Sequence, residues 1–210
     1  LDTQKHHIAI SADEEILWKR FKNGDKTAFA EIYQQCYRSL YSYAYKLNPN
    51  SSAVEDAIQE LFVDLWRMRQ SLAEKVAIKF YLFRSLRRKI HREEKKNLSQ
   101  QTLIAEGEME NLYPAVPAHE SEIIGGEAHH ELISKLQTQI ENLPPRLKEV
   151  ILLRYYEDYS NKEIAGIMEI SEKTVRNFMH NALSVLRHHR FLINSSIVVI
   201  ALLSTCPNTL

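Results

Sequence analysis

Apolar residues recur every three or four positions along most of this chain, the spacing that gathers them on one side of an α-helix. The clearest run is Phe29, Ile32, Tyr33, Cys36, Tyr37, Leu40, Tyr41 and Ala44. It predicts a helix from about Thr27 to Leu47, ended by Asn48-Pro49-Asn50. Upstream, Ser11 with Glu14 three residues on has the form of a capping box. The short helix it opens should stop near Asn23-Gly24. Downstream, Ser52 and Glu55 predict a second capping box. The helix that follows carries Val54, Ala57, Ile58, Leu61, Leu65 and Met68 on one side, and Asp56, Gln59, Glu60 and Asp64 on the other. A fourth helix is expected from about Ile78, in IKFYLFRSLRRKIHREEKK.

The pattern then lapses. From Asn97 to Ser134 there is no Lys or Arg, and seven Glu stand among Pro114, Pro117 and Gly125-Gly126. This composition predicts a flexible acidic linker between two helical halves. Periodicity resumes near His130, where Leu132, Leu136, Ile140 and Leu143 lead into Pro144-Pro145. Pro144 stops one helix, and Pro145 suits the first turn of the next, RLKEVILLRYY. Ser160 and Glu163 form a further capping box. The expected organisation is all-α: a first domain over 11–96, a linker over 97–129, a second domain over 130–190, and an apolar tail over 191–210.

SNKEIAGIMEISEKTVRNFMHNALSVLRHH, from Ser160 to His189, has the pattern of a helix-turn-helix. Ala165 supplies the small residue where such helices touch. Ser171 is a good N-cap for the second helix, and Val175 and Phe178 face its core. The opposite stripe is Lys173, Arg176, Asn177 and His180. Arg and Asn can contact base edges in pairs of hydrogen bonds, whereas Lys173, Arg187 and Arg190 suit phosphates. Glu169 stands at the bend, where Gly is common because left-handed backbone costs other residues about 1–2 kcal/mol. A slightly different turn, or tolerated strain, is implied.

Composition narrows the picture in three ways. Five Gly in 210 residues, fewer than the roughly 7% usual in globular chains, favour helices. A formal net charge of zero confines any nucleic-acid affinity to local basic patches. The two cysteines, Cys36 and Cys206, form no CxxC, so no metal site is expected. Cys36 lies in an apolar pattern, as a reduced core thiol would, which suits a reducing compartment. The N-terminal LDTQKHHIAISADEE lacks an apolar signal core. The tail segment FLINSSIVVIALLSTC, Phe191–Cys206, is 16 residues long, short of the roughly 20 that span a bilayer. It is expected to pack on a helical domain or a partner.

Taken together, the chain resembles an extracytoplasmic-function (ECF) sigma factor of bacterial RNA polymerase, of the variety common in Bacteroidetes. AFAEIYQQCYRSLYSYAYKL and AVEDAIQELFVDLW resemble the family's polymerase-binding region two. KFYLFRSLRRKIHREEKK resembles its promoter-melting, minus-ten segment. LPPRLKEVILLRYYEDYSNKEIAGIMEISEKTVRNFMHNALSVLR resembles region four, which reads the minus-thirty-five element.

The resemblance implies a cytoplasmic promoter-specificity subunit, not an enzyme, with no cofactor and no small-molecule substrate. Its implied partners are core RNA polymerase, promoter DNA and an anti-sigma factor, often membrane-bound. It places polymerase contacts at Asp56, Gln59, Glu60, Phe62 and Trp66. Minus-ten contacts fall at Lys79, Phe80, Phe83, Arg84, Arg87, Arg88 and Arg92, with Arg88 standing where many relatives have Asn. Minus-thirty-five contacts fall at Ser171, Lys173, Thr174, Arg176, Asn177, His180 and Arg187. Basic groups interleaved with aromatics suit a single strand, which is held by backbone neutralisation and base stacking. The acidic linker would thread the polymerase's RNA channel. Two other classes stay open from sequence: a helix-turn-helix regulator acting without core polymerase, and an interaction protein with a sigma-like surface.

Overall fold

The computed structural model describes the backbone of residues 10–101 and 137–188, with side chains over 10–92 and 137–186. Among these residues every regular element is a helix. Their contacts form two compact units. One holds residues 10–101 with 160–170, the other 137–159 with 171–188. Of the expected linker over 97–129, residues 97–101 are helical, and the rest lies outside the described residues, as does the tail from 191.

The first unit begins with α1 (Ala12–Lys22), α2 (Lys26–Leu47), α3 (Ser51–Met68) and α4 (Ile78–Gln101). Ser11 caps α1 by accepting the Glu14 N–H at 3.1 Å. The predicted capping box is only half made. The Glu14 carboxylate accepts the Ile78 N–H at 2.6 Å and so caps the start of α4. That bond joins residues 64 apart in sequence, beyond the reach of a local motif. Gly24, at φ 87°, makes the left-handed turn that ends α1. Asp25 caps α2, accepting the Thr27 and Ala28 N–H groups at 2.8 and 3.2 Å. The Thr27 hydroxyl, those backbone donors and Arg20 hold its carboxyl well below the usual carboxylate range.

Helix α3 starts earlier than predicted. Asn50, not Ser52, is its N-cap and accepts the Ala53 N–H at 3.2 Å. Asn caps as well as Ser, so the earlier candidate prevails and Ser52 lies inside the first turn.

The four helices meet over an aromatic core. Trp18, Phe21 and Phe83 are fully buried. Trp18 lies 5.2 Å from Phe21 and 6.2 Å from Tyr81 between ring centroids. Its indole Nε1 donates to the Ala73 carbonyl at 2.9 Å, and Lys22 Nζ donates to Leu72 at 2.7 Å. These bonds pin the α3–α4 loop onto α1. Helix α4 buries Ile78, Leu82, Phe83, Leu86 and Ile90, a three-and-four repeat.

The second unit holds a helical turn at 137–141, then α5 (Pro145–Tyr155) with Pro145 in its first turn, as predicted. Helix α6 (Asn161–Met168) follows in the chain and packs with α4 in the first unit. The second unit resumes with α7 (Glu172–His188). Its core gathers Ile140, Leu143, Leu147, Ile151, Ala182 and Leu186, with Phe178 and Leu183 packed against them. Cys36 is buried and reduced in the first unit.

Glu14→Ala removes the cap of α4 while leaving the α1 cap bond to the main chain in place. It is expected to lower unfolding free energy by about 1 kcal/mol, measured as a shift in urea midpoint at unchanged slope.

Candidate nucleic-acid and polymerase interface

Helix α3 turns most of its apolar residues to one side, with Val63 and Met68 exposed. Val54, Ala57, Ile58, Leu61 and Leu65 are buried. Asp56, Gln59 and Glu60 are exposed on the other side, within one helical turn of one another. Glu60 has an internal tie: Lys89 Nζ on α4 lies 3.3 Å from it and 2.6 Å from Asp64. The Lys89 hydrogen bond is the main reason the Asp64 carboxyl is held below its ordinary range.

The predicted aromatic contacts need correction. Phe62 is 3% exposed and lies inside, its ring 4.8 Å from Tyr33 and 6.0 Å from Phe29. The apolar side of α3 is wide enough to take Phe62 as well as the Leu61–Leu65 row, so its ring cannot reach a partner. Trp66 is half-buried, 5.1 Å from Phe29, with the Arg69 guanidinium 4.4 Å over its ring. Tyr33, Tyr37 and Tyr41 belong to the apolar repeat of α2. Tyr33 is exposed, Tyr37 and Tyr41 are half-buried, and with Tyr45 they form a row of rings 5.1–6.0 Å apart. Their four-residue spacing was visible, but it is the same spacing a core stripe has.

On α4 the predicted DNA residues divide. Lys79, Arg88 and Arg92 are exposed, and Phe80 and Arg84 are half-buried. Phe83 is fully buried, 5.1 Å from Tyr43, and Arg87 is 5% exposed. Phe83 cannot stack on a base, because it belongs to the same row as Leu82 and Leu86. Arg87, four residues on, shares that inward face. The surviving basic groups form one outward stripe, Arg84, Arg88 and Arg92, with Lys79 near its start.

Helix α6 opens with the full predicted capping box. Ser160 accepts the Glu163 N–H, and the Glu163 carboxylate accepts the Ser160 N–H at 2.8 Å. It ends at Glu169, which takes the left-handed conformation, φ 57° and ψ 41°. Of the two expectations for the bend, tolerated strain is the one observed. The Glu169 carboxylate does not face water alone. Its Oε1 accepts from Arg84 Nη2 at 3.0 Å, from Arg88 Nε at 3.0 Å, and also from Arg88 Nη2. The Arg88 hydrogen bond chiefly holds the Glu169 carboxyl below its usual range, burial opposes it, and Arg84 adds to the lowering.

Ser171 caps α7, its hydroxyl accepting the Thr174 N–H at 3.0 Å. Thr174 is half-buried, and its hydroxyl lies 2.8 Å from that of Ser171. Lys173, Arg176, Asn177 and His180 are exposed, while Val175 is fully buried. The predicted stripe is therefore on one outward face. Arg176 makes a loose pair with Glu172 at 3.4 Å, weak enough to exchange for a better acceptor. The side chain of Arg187 lies outside the described residues. Among the described residues no His, Cys, Asp or Glu cluster could hold a metal, and no helix is long and apolar enough to cross a membrane.

Two family models match this chain in order: sigma-70 region 2 over residues 32–98 and sigma-70 region 4 over 133–186. The ECF RNA polymerase sigma factor SigW of Bacillus subtilis is 27% identical over 172 residues, 80% of this chain and 92% of SigW. SigK of Mycobacterium bovis is 23% identical, covering 85% of this chain and 94% of SigK. In fold the chain is similar to CnrH, solved with the cytosolic domain of CnrY: TM-score 0.57, 19% identity, 86% of this chain and 98% of that one. It is also similar to RpoE of Bartonella quintana, solved with the anti-sigma factor NepR: TM-score 0.56, 17% identity, 79% and 98% covered. Both matched regions are those of the sigma-70 family. The chain belongs to that family as an ECF sigma factor. It is accordingly a transcription-initiation factor and not an enzyme. The region 2 match sets it apart from a regulator built on a helix-turn-helix alone.

Phe62→Ala separates interior from interface. With the ring buried, the substitution is expected to cost about 3–5 kcal/mol of stability. Denaturant unfolding should show that loss before any binding partner is added.

Proposed function

We propose that this sigma factor docks core RNA polymerase through the exposed Asp56, Gln59 and Glu60 face of α3. In this reading it holds the unpaired minus-ten strand on Lys79, Phe80, Arg84, Arg88 and Arg92 of α4. It reads the minus-thirty-five element with Lys173, Arg176, Asn177 and His180 of α7. Ser171 and Thr174 set the start of that helix, and Arg187 adds a phosphate contact. Phe62, Phe83 and Arg87 act from the interior by fixing these faces. The observation that carries the proposal is the division of α3: its apolar row from Val54 to Leu65 is used inside the unit, and Asp56, Gln59 and Glu60 lie exposed opposite it, Glu60 with a single tie to Lys89. An acidic face of this kind suits a basic partner surface and sets register and encounter rate more than raw affinity.

The remaining parts follow from the family. The protein works in the cytoplasm, where polymerase and promoter DNA are. An anti-sigma factor restrains it, a reading supported by the NepR complex of a structural relative. The variety is the one common in Bacteroidetes, as the sequence likeness suggests.

The decisive test is Asp56→Lys combined with Glu60→Gln in the full chain. Gln at 60 avoids setting a second cation against Lys89, which keeps its bond to Asp64. Stability should change by no more than about 0.5 kcal/mol. Capture of core polymerase and promoter-directed transcription should both be lost. Capture at wild-type strength by the folded double variant would overturn the docking face.

Arg176→Ala tests the upstream contact. It should weaken specific promoter binding by about 1–3 kcal/mol and relax sequence preference at one position. An equal loss on every sequence in a binding titration would make Arg176 a phosphate contact instead.

A further inference from the structure

The Glu169 carboxylate lies on two of the three arginines in the outward stripe of α4. Arg84 and Arg88 reach it from successive turns of one helix, and all their contacts converge on one oxygen, Oε1. Glu169 and both arginines belong to the same compact unit. The position is unusual for a carboxylate. A left-handed residue that ends a helix is most often Gly, and Glu must tolerate the conformation to stand there.

We propose that Glu169 is an autoinhibitory cover. Its carboxylate occupies the guanidinium groups of Arg84 and Arg88 as a phosphate would, and lowers the affinity of α4 for single-stranded nucleic acid until a strand displaces it. The chemistry of the two ligands is shared. A carboxylate and a phosphate oxygen both accept charge-assisted N–H bonds from guanidinium groups. All three side chains are partly open to solvent, with side-chain exposures of 40% for Arg84, 55% for Arg88 and 41% for Glu169. Exchange is therefore not sterically barred. Arg92 and Lys79 remain outside the cover and supply the first attraction for an arriving strand. The effect is a threshold: weak strands do not hold the factor, and a strand presented in register, with several phosphates and stacked bases, does.

This inference rests on the proposed place of Arg84 and Arg88 on the minus-ten strand, and the test separates the two. The full chain is titrated with a short fluorescein-labelled thymidine-rich single strand, and anisotropy is read at fixed salt. A sequence-neutral strand suffices, because phosphate neutralisation does not depend on sequence. Glu169→Gln removes the charge and keeps the shape. Glu169→Gly removes the side chain and suits the left-handed backbone, so its fold is secure. Both are expected to bind about threefold to tenfold more tightly, the range of one to two exposed ion pairs. In a chain carrying Arg84→Gln and Arg88→Gln, the same changes at 169 should alter binding by less than about twofold.

Unchanged affinity of both Glu169 variants, while the arginine pair weakens binding, would overturn the cover and leave the DNA reading standing. An equal gain in the background lacking both arginines would overturn it differently. The gain would then be a general charge effect, and the place of the arginines on the strand is read separately, from the loss their own substitution causes.

Discussion

The buried indole of Trp18 is the contact on which the first unit depends. It is wholly enclosed, touches Phe21 and Tyr81, and gives its one donor to the Ala73 carbonyl. An indole of this size contributes several kilocalories of apolar burial, roughly 25 cal/mol for each Å² removed from water. It does so only if its N–H is satisfied. The Ala73 carbonyl meets that condition and, in doing so, fixes the loop that leads into α4. Glu14 then caps α4 from the same helix that carries Trp18. Helix α1 thus sets both the position and the start of α4. The outward direction of Arg84, Arg88 and Arg92 follows from it, because Leu82, Phe83 and Leu86 are committed to the core.

The same logic governs α3. Its inward row includes Phe62, whose ring is closed off by Phe29 and Tyr33. Once that side is filled, Asp56, Gln59 and Glu60 have nowhere to go but outward. Lys89 ties α4 to the acidic side of α3. It touches Glu60 and Asp64 on α3 from its place on α4, only one residue from Arg88. Its side chain is mostly enclosed, at 13% exposure, so it has little freedom to leave. The acidic and basic faces are therefore held by one cation at their common edge.

Much of this could be read from the sequence, and the failures have a common cause. The helix positions, the caps at Ser11, Ser160 and Ser171, Pro145 in the first turn of α5, and the outward stripe Lys173, Arg176, Asn177 and His180 are local features. Each depends on residues within about one helical turn, so spacing suffices to find it. Asn50 displaced Ser52 because two competent caps lay two residues apart, and spacing cannot rank them. Phe62, Phe83 and Arg87, expected at interfaces, are interior. A residue at the margin of a wide apolar stripe is placed inside or outside by what the neighbouring helix offers. The bonds from Glu14 to Ile78 and from Glu169 to the two arginines span 64 to 85 residues. No periodicity encodes contacts of that range; only the tertiary fold brings the partners together.

Stability alone does not select Glu over Gly at position 169. The left-handed backbone costs a residue with a side chain on the order of 1–2 kcal/mol. An exposed ion pair recovers about 0.2–1 kcal/mol, and two arginines sharing one oxygen recover less than twice that. The two terms nearly cancel, so Gly would hold the turn about equally well. The term that differs is charge. With Glu, Arg84 and Arg88 carry a local neutraliser, and with Gly they would lose it. In a chain whose formal net charge is zero, affinity for a polyanion depends on where positive charge is left uncovered. The residue at this turn therefore acts more on the electrostatics of α4 than on the turn itself.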